Sequence, residues 1–225
     1  MNTNEPFAAL LEARRGEPVA LLHSGGAGPA WLCTDPVDAL ARAAGDVGGA
    51  FAALEAFLQR HHDRRVVGWL GYDLGRDVEA WPLRIVDDFP VPVLHVAAFA
   101  TVRAFDAVPV PPAPPLAAAT SLRAHVSRAD YERRVAAVVE HIRACDIFQA
   151  NLTQPFSGRF DGDSRALFWR LCEQSPAPFA ACIDTGEGTV VVSSSPEEFL
   201  HRDGDSVRTR PIKGTRQRDA DAARD

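Results

Sequence analysis

The chain is nearly without lysine: of its 24 Lys and Arg residues, only Lys213 is a lysine and 23 are arginines. A biased genome can produce such a skew. Where arginine serves wherever a cation suffices, the one lysine that persists marks a place where a guanidinium will not do. An amine can shed its proton and attack carbon, whereas arginine stays charged. The bland alternative is a single leftover surface lysine. Cysteine is scarce too. Cys33, Cys145, Cys172 and Cys182 form no CxxC pair and have no histidine at metal-ligand spacing. That argues against a zinc site or a disulfide framework and for buried free thiols in a reducing compartment. No apolar run reaches the ~18 residues of a membrane helix. The opening MNTNEPFAALLEARRGEP lacks the basic head and apolar body of a signal peptide, so a cytoplasmic protein is expected. Positive charge is not in excess: a formal net charge of −6 and a pI near 5.6 make nucleic acid a poor partner.

What is present fits a globular fold, with 46% apolar and 24% charged residues in 225, enough for one large domain or two small ones. PVALLHS (18–24) reads as a short buried strand closed by a turn at Gly25-Gly26, and AWLCT (30–34) as a second. Asp35-Pro36 has the form of a helix N-cap with proline at the first helical position. Helical pattern is expected from there to about Arg60, broken near Gly45–Gly49. Arg65–Leu70 and residues 91–105 read as strands. VPVPPAPP (108–115) favours an extended path and is the clearest linker. It divides the chain into a region 1–107, a Pro-rich linker 108–120 and a region 121–225. Beyond it, Ser127 and Asp130 resemble a capping box. Tyr131, Val135, Val138 and Ile142 then form a one-sided helical stripe. FQANLTQPF (148–156) reads as a strand and Ser164–Cys172 as a short helix. GTVVVSSSPEEFLHR (188–202) and DSVRTRPI (205–212) read as a hairpin turning at Asp203-Gly204. The closing RQRDADAARD has no C-cap or final apolar face, which reads as a cut.

Three places could carry chemistry. In RTRPIKGT (208–215), Pro211 ends ladder pairing, Gly214 frees the backbone, and Lys213 is held between them at a strand end. A lysine so placed serves as a nucleophile if burial or nearby positive charge lowers its pKa; Arg208, Arg210 and Arg216 supply charge and can grip a carboxylate. An inert, solvated basic turn is the competing reading. In SSSPEEF (193–199), Glu197 can act as a general acid or base. A turn at 203–204 would set it opposite Arg210, where it would be a plain ion pair. Lys213 would then fall on the other sheet face, roughly 10 Å along. The two can share a pocket only if the chain bends at Pro211, and a bend is expected. Third, Gln149, Asn151 and Thr153 alternate on one face, either lining a polar cavity or facing solvent. His61-His62 at a helix end reads as a solvated cap. His23, His95 and His201 lie in strands without a triad partner.

GYDLGR (71–76), DIFQANLTQPF (146–156), SPEEF (195–199) and RTRPIKGT (208–215), with LLHSGG (21–26), together resemble in order and spacing the chorismate-using large subunits. That family includes anthranilate, aminodeoxychorismate, isochorismate and salicylate synthases. The resemblance implies an α+β fold: a sandwich of two nearly orthogonal antiparallel β-sheets with outer helices, incomplete here. PIKGT is similar to aminodeoxychorismate synthase, whereas anthranilate-forming members carry alanine at the lysine position. It implies that Lys213 attacks chorismate at C2, that Glu197 is the acid or base serving the C4 hydroxyl, and that Thr215 and Gly214 help bind substrate. It also implies ammonia from a glutamine amidotransferase partner, free or fused, and a product on the 4-aminobenzoate route to folate. A tryptophan pocket found in some members maps onto Leu21, Leu22, Ser24, Pro178 and Phe179. Members are roughly twice this length. The Mg²⁺ ligands are expected in the missing carboxy-terminal half, none in this chain. The chain alone is therefore expected to be inactive, with open sheet edges and bare apolar faces. The competing readings are a non-catalytic binding fragment or paralogue, and anthranilate synthase component I.

Overall fold

The computed structural model describes Leu11, Arg14 and residues 16–25, 28–79, 91–113 and 121–212. The fold is mixed α+β, and its contacts divide the chain into two compact units, residues 1–113 with 167–225, and residues 114–166.

The first unit is built on one six-stranded antiparallel sheet in the order β3-β4-β2-β1-β7-β8. The strands are β1 (Val19–His23), β2 (Ala30–Arg42), β3 (Arg65–Leu70), β4 (Leu94–Phe105), β7 (Phe179–Asp184) and β8 (Val190–Ser195). The sheet thus takes strands from both sides of the Pro-rich segment. A second large sheet is not formed among the described residues. Alternation along β1 sends Val19 and Leu21 to one face, where they meet Leu32, Phe168, Trp169 and Cys172, and Ala20 and Leu22 to the other, with Cys33, Phe99 and Ile183. Helix α1 (Ala50–Arg60) buries Ala50 and Phe57 against Leu94, Val96 and Ala98. Helix α3 (Ser164–Gln174) supplies Phe168 and Cys172, both essentially inaccessible.

Two expectations fail here. Asp35-Pro36 does not start a helix: β2 runs through it. Asp35 adopts φ 57 and the register with β4 shifts between Pro36 and Asp38. An irregularity of this kind is where a strand tolerates proline. The helix begins only at Ala50, after Gly45 and Gly49. Nor is His61 a solvated cap. Its Nε2 lies 2.8 Å from Asp38 Oδ2 and its ring packs on Phe57, although His62 is exposed as expected.

Residues 107–113 form neither helix nor strand, in keeping with their prolines, but they do not hang free. Val108 is buried, and Val110 and Ala113 pack beside it on the Phe168 cluster. His23 holds this strap: Nε2 donates to the Val108 carbonyl at 2.9 Å, while Nδ1 accepts from Gly25 N–H at 3.0 Å. That pairing requires a neutral ring. Burial pushes the His23 pKa below its ordinary value, with the Val108 bond opposing, and burial does the same to His95. The unfolded chain therefore takes up these protons more readily. Stability from both rings is whole above the unfolded value of about 6.5 and is lost as pH falls from there toward the lower folded values. Melting temperature should drop between about pH 7.5 and about pH 5, and less steeply in His23→Gln. An equally steep drop in the variant removes His23 from this account.

In the second unit, β5 (Arg123–Ala124) pairs with β6 (Phe156–Ser157), and helix α2 (Arg128–Arg143) lies between them in sequence. The capping box forms as expected, with Ser127 Oγ accepting from Asp130 N–H at 3.1 Å. Asp130 near the start and Arg143 near the end also suit the helix dipole. The apolar stripe is there but poorly covered: no α2 residue is buried, and Val135 and Ile142 are 40% and 39% exposed. The strand expected over 148–156 is absent apart from Phe156: among the described residues no ladder forms along 148–155, where the Leu152 carbonyl accepts from the Tyr131 hydroxyl and the Pro155 carbonyl from His125 N–H, each at 3.1 Å. Gln149, Asn151 and Thr153 are exposed. Bare apolar surface does occur, as on Phe148 and Phe199 at 90% and 87% exposure. No helix among the described residues is long and apolar enough to cross a membrane.

Candidate active site

The segment 190–212 is not one hairpin. The run VVVSSS forms β8 and pairs with β7, a strand the sequence reading missed. Pro196 and Glu197 interrupt it. The chain then forms a separate ribbon of β9 (Glu198–Asp203) and β10 (Ser206–Arg210). Asp203 pairs with Ser206, so the turn is Gly204-Asp205, one residue later than expected. Gly204 takes φ 56, as the first position of a primed hairpin turn requires. The register shifts again between Arg208 and Arg210.

This arithmetic decides which glutamate meets an arginine. Arg210 pairs with Glu198, not with Glu197 as expected. Arg208 donates to Glu198 through Nε and Nη2, each at 3.0 Å, and Arg210 Nε lies 3.6 Å away. The Arg208 bonds, reinforced by the charges of Arg208, Arg210 and His201, hold the Glu198 carboxyl below the usual range. Sequence reasoning missed Glu198 because it placed the turn one residue early and did not include the register shift; the observed turn alone would set Phe199 opposite Arg210. Glu197 is exposed and has no ion pair among the described residues. Its backbone N–H meets Ser195 Oγ at 3.5 Å, and that hydroxyl donates to the Glu197 carbonyl at 3.3 Å. A carboxylate without a cationic partner is available for proton transfer. Ladder pairing ends at Arg210, directly before Pro211. Lys213, Gly214 and Thr215 lie outside the described residues.

The residues mapped to a tryptophan pocket gather at one end of two paired strands. Leu22 pairs with Ala181 and His23 with Ala180, so Ser24 lies at the β1 end and Pro178-Phe179 at the β7 start. Gly25, at φ 67, packs so tightly on the Ala177 backbone that a Cβ there would collide with it. Leu21 is fully buried in the Phe168 cluster and Leu22 faces the opposite side of the sheet. Pro178 and Phe179 are exposed, and Ser24 Oγ is buried without a hydrogen-bond partner among the described residues.

A separate cavity of about 260 Å³ lies over the other end of the sheet, with Ala97, Phe99 and Ile183 as apolar lining and Asp38, Asp184 and Glu187 as acidic lining. His95 also lines it, stacked on Trp69 at 4.7 Å. Of the residues weighed above for chemistry, only His95 lines it. Among the described residues, no group of three or more His, Cys, Asp or Glu side chains is placed to hold a metal ion.

Comparison with known proteins gives these arrangements a lineage. Residues 17–225 match the family model described as chorismate binding enzyme, and the chain belongs to that family. It is 32% identical over 182 residues to aminodeoxychorismate synthase component 1 of Klebsiella aerogenes, covering 71% of this chain and 40% of that one. It is 33% identical over 204 residues to anthranilate synthase component 1 of Thermus thermophilus, covering 75% of this chain and 44% of that one. The chain thus spans less than half the length of these two relatives. In fold it is similar to an isochorismate synthase from Bacillus anthracis described as 2,3-dihydroxybenzoate-specific. The TM-score is 0.63 at 17% identity, over 97% of this chain and 55% of that chain.

Proposed function

We propose that this chain is the amino-terminal part of an aminodeoxychorismate synthase large subunit, which aminates chorismate at C4. Overall identity does not choose between this and anthranilate synthase, since relatives of both kinds match equally well. The observation that carries the reading is Lys213, the only lysine in the chain, placed in RTRPIKGT just beyond the end of β10. A deprotonated amine at that point adds to C2 of the ring. The ring double bonds shift, and the C4 hydroxyl leaves as water on receiving a proton from Glu197. Ammonia then adds at C4, the double bonds shift back, and the Lys213 amine is released from C2. Chorismate and ammonia are consumed, and aminodeoxychorismate and water are formed.

The ammonia source in this scheme is a glutamine amidotransferase, separate or fused. In this reading Mg²⁺ is held by the carboxy-terminal part of the subunit, and no step above passes through it. Tryptophan at the Ser24 and Phe179 end of the sheet is a further element of the proposal, supported by the proximity of those residues in paired strands. Product identification tests the assignment. The complete subunit, given chorismate, Mg²⁺ and ammonia, should yield aminodeoxychorismate; anthranilate in its place would transfer the chain to the other branch of the family.

A further inference from the structure

Glu198 stands between the two segments that the proposed chemistry needs. It follows Glu197 directly, and the arginines that grip it lie just upstream of Pro211, Ile212 and Lys213. The grip is two-pronged: Arg208 Nε and Nη2 each reach a different carboxylate oxygen at 3.0 Å, and Arg210 closes on the same group at 3.6 Å. The Glu198 side chain is only 10% exposed, against 48% and 64% for the two arginines. An isolated surface pair contributes little to stability, but a planar two-point contact fixes geometry. Geometry is what this ribbon is short of. Every residue of β10 is exposed, and its ladder with β9 already contains an irregularity between Arg208 and Arg210. A ribbon without a buried face has its register weakly specified, and a slip of one residue turns every side chain over.

We propose that Glu198, gripped by Arg208 and Arg210, is a positioning residue that sets the register of the β9–β10 ribbon and thereby places the Glu197 turn relative to the strand end leading into Lys213. This rests on the reading of Glu197 and Lys213 given above. Glu198 touches no substrate in this scheme.

The test uses the complete subunit that carries this chain, with chorismate, Mg²⁺ and ammonia, comparing wild type, Glu198→Gln, and the exchanged pair Glu198→Arg with Arg208→Glu, made together with Arg210→Gln so that no second guanidinium opposes the new one. In Glu198→Gln, kcat should fall roughly 10- to 100-fold, the scale of an ångström-level misplacement, with KM for chorismate little changed. The exchanged pair should recover most of kcat, because the bridge is restored with its polarity reversed. A Glu198→Gln enzyme with wild-type kcat overturns the proposal, as does an exchanged pair no better than the single variant. Should Glu198→Gln not fold, the exchanged pair decides alone: activity near wild type supports the clamp, and a folded but inactive protein rejects it. Failure of the underlying assignment looks different. A wild type that makes another product, with the same loss and recovery in the variants, keeps the clamp and removes the assignment.

Discussion

Lys213→Ala in the complete subunit should reduce aminodeoxychorismate formation to background while leaving the fold intact. The expectation is this severe because the lysine is given a covalent role. Removing a nucleophile deletes the pathway, whereas removing a binding contact raises KM and leaves kcat largely in place. Lys213→Arg should fail as completely. It keeps the charge and most of the length, but a guanidinium holds its proton and cannot attack carbon. That second variant separates the two readings of a chain that otherwise uses arginine for every cation. If Lys213 merely anchors the substrate carboxylate, arginine should serve well and kcat/KM should stay within a few-fold of wild type. Activity assays of both variants, with circular dichroism to confirm folding, check this. Undiminished turnover in Lys213→Ala removes the nucleophile role.

The second large effect is on stability. Phe168 is 0% exposed and lies at the centre of the cluster that joins α3 to the sheet, in contact with Trp169 at 4.9 Å between ring centroids. Phe168→Ala removes its buried area and leaves a cavity, costing about 3–5 kcal/mol. At about 2–4 °C of melting temperature per kcal/mol for a protein of this size, the loss is large in a thermal melt. Phe199→Ala is the control. Its ring is 87% exposed, and substitution at such a surface position usually moves stability by no more than about 0.5 kcal/mol. Equal losses in the two variants would mean that α3 is not docked as described, or that the Phe199 face is covered in solution.

These two phenylalanines also show where sequence reading works and where it stops. Both sit beside another apolar residue and near charged ones, in FWRL and EEFL, and nothing local separates a ring that docks from one that does not. What was legible were features decided within a few residues. The Ser127 cap needs only its own helix start. The ending of β10 before Pro211 needs only the missing N–H of proline. The conformations that are decided between distant segments were not legible. Asp35-Pro36 is a good local helix start, yet eleven residues of β4 pair across that stretch, and the strand absorbs the proline by shifting register. FAACID was passed over, although Pro178 before it and the TGEG turn after it frame an apolar run of strand length; its role emerges only where it lies between β1 and β8. FQANLTQPF alternates well, but a strand exists only with a partner, and the described chain offers one to Phe156 alone.

The candidate site divides the same way. Residue types and motif order carried the family assignment, which the comparisons support independently through the chorismate binding enzyme model over residues 17–225. Pair identity was lost to turn placement and a register shift together. Counting from Asp203-Gly204 set Glu197 against Arg210, whereas the turn at Gly204-Asp205 and the later shift set Glu198 there. The consequence is chemical. The glutamate assigned to proton transfer is the one without an arginine among the described residues, and its neighbour takes the ion pair instead.

The most direct measurement follows chorismate onto the protein. The complete subunit is incubated with chorismate and Mg²⁺ but without ammonia, quenched, digested and mass-analysed. A peptide spanning Lys213 should gain the mass of chorismate less one water, an adduct absent from Lys213→Ala and discharged as aminodeoxychorismate when ammonia is added. A subunit that turns over to aminodeoxychorismate at full rate, carries no adduct on that peptide and loses nothing in Lys213→Ala would contradict the covalent role.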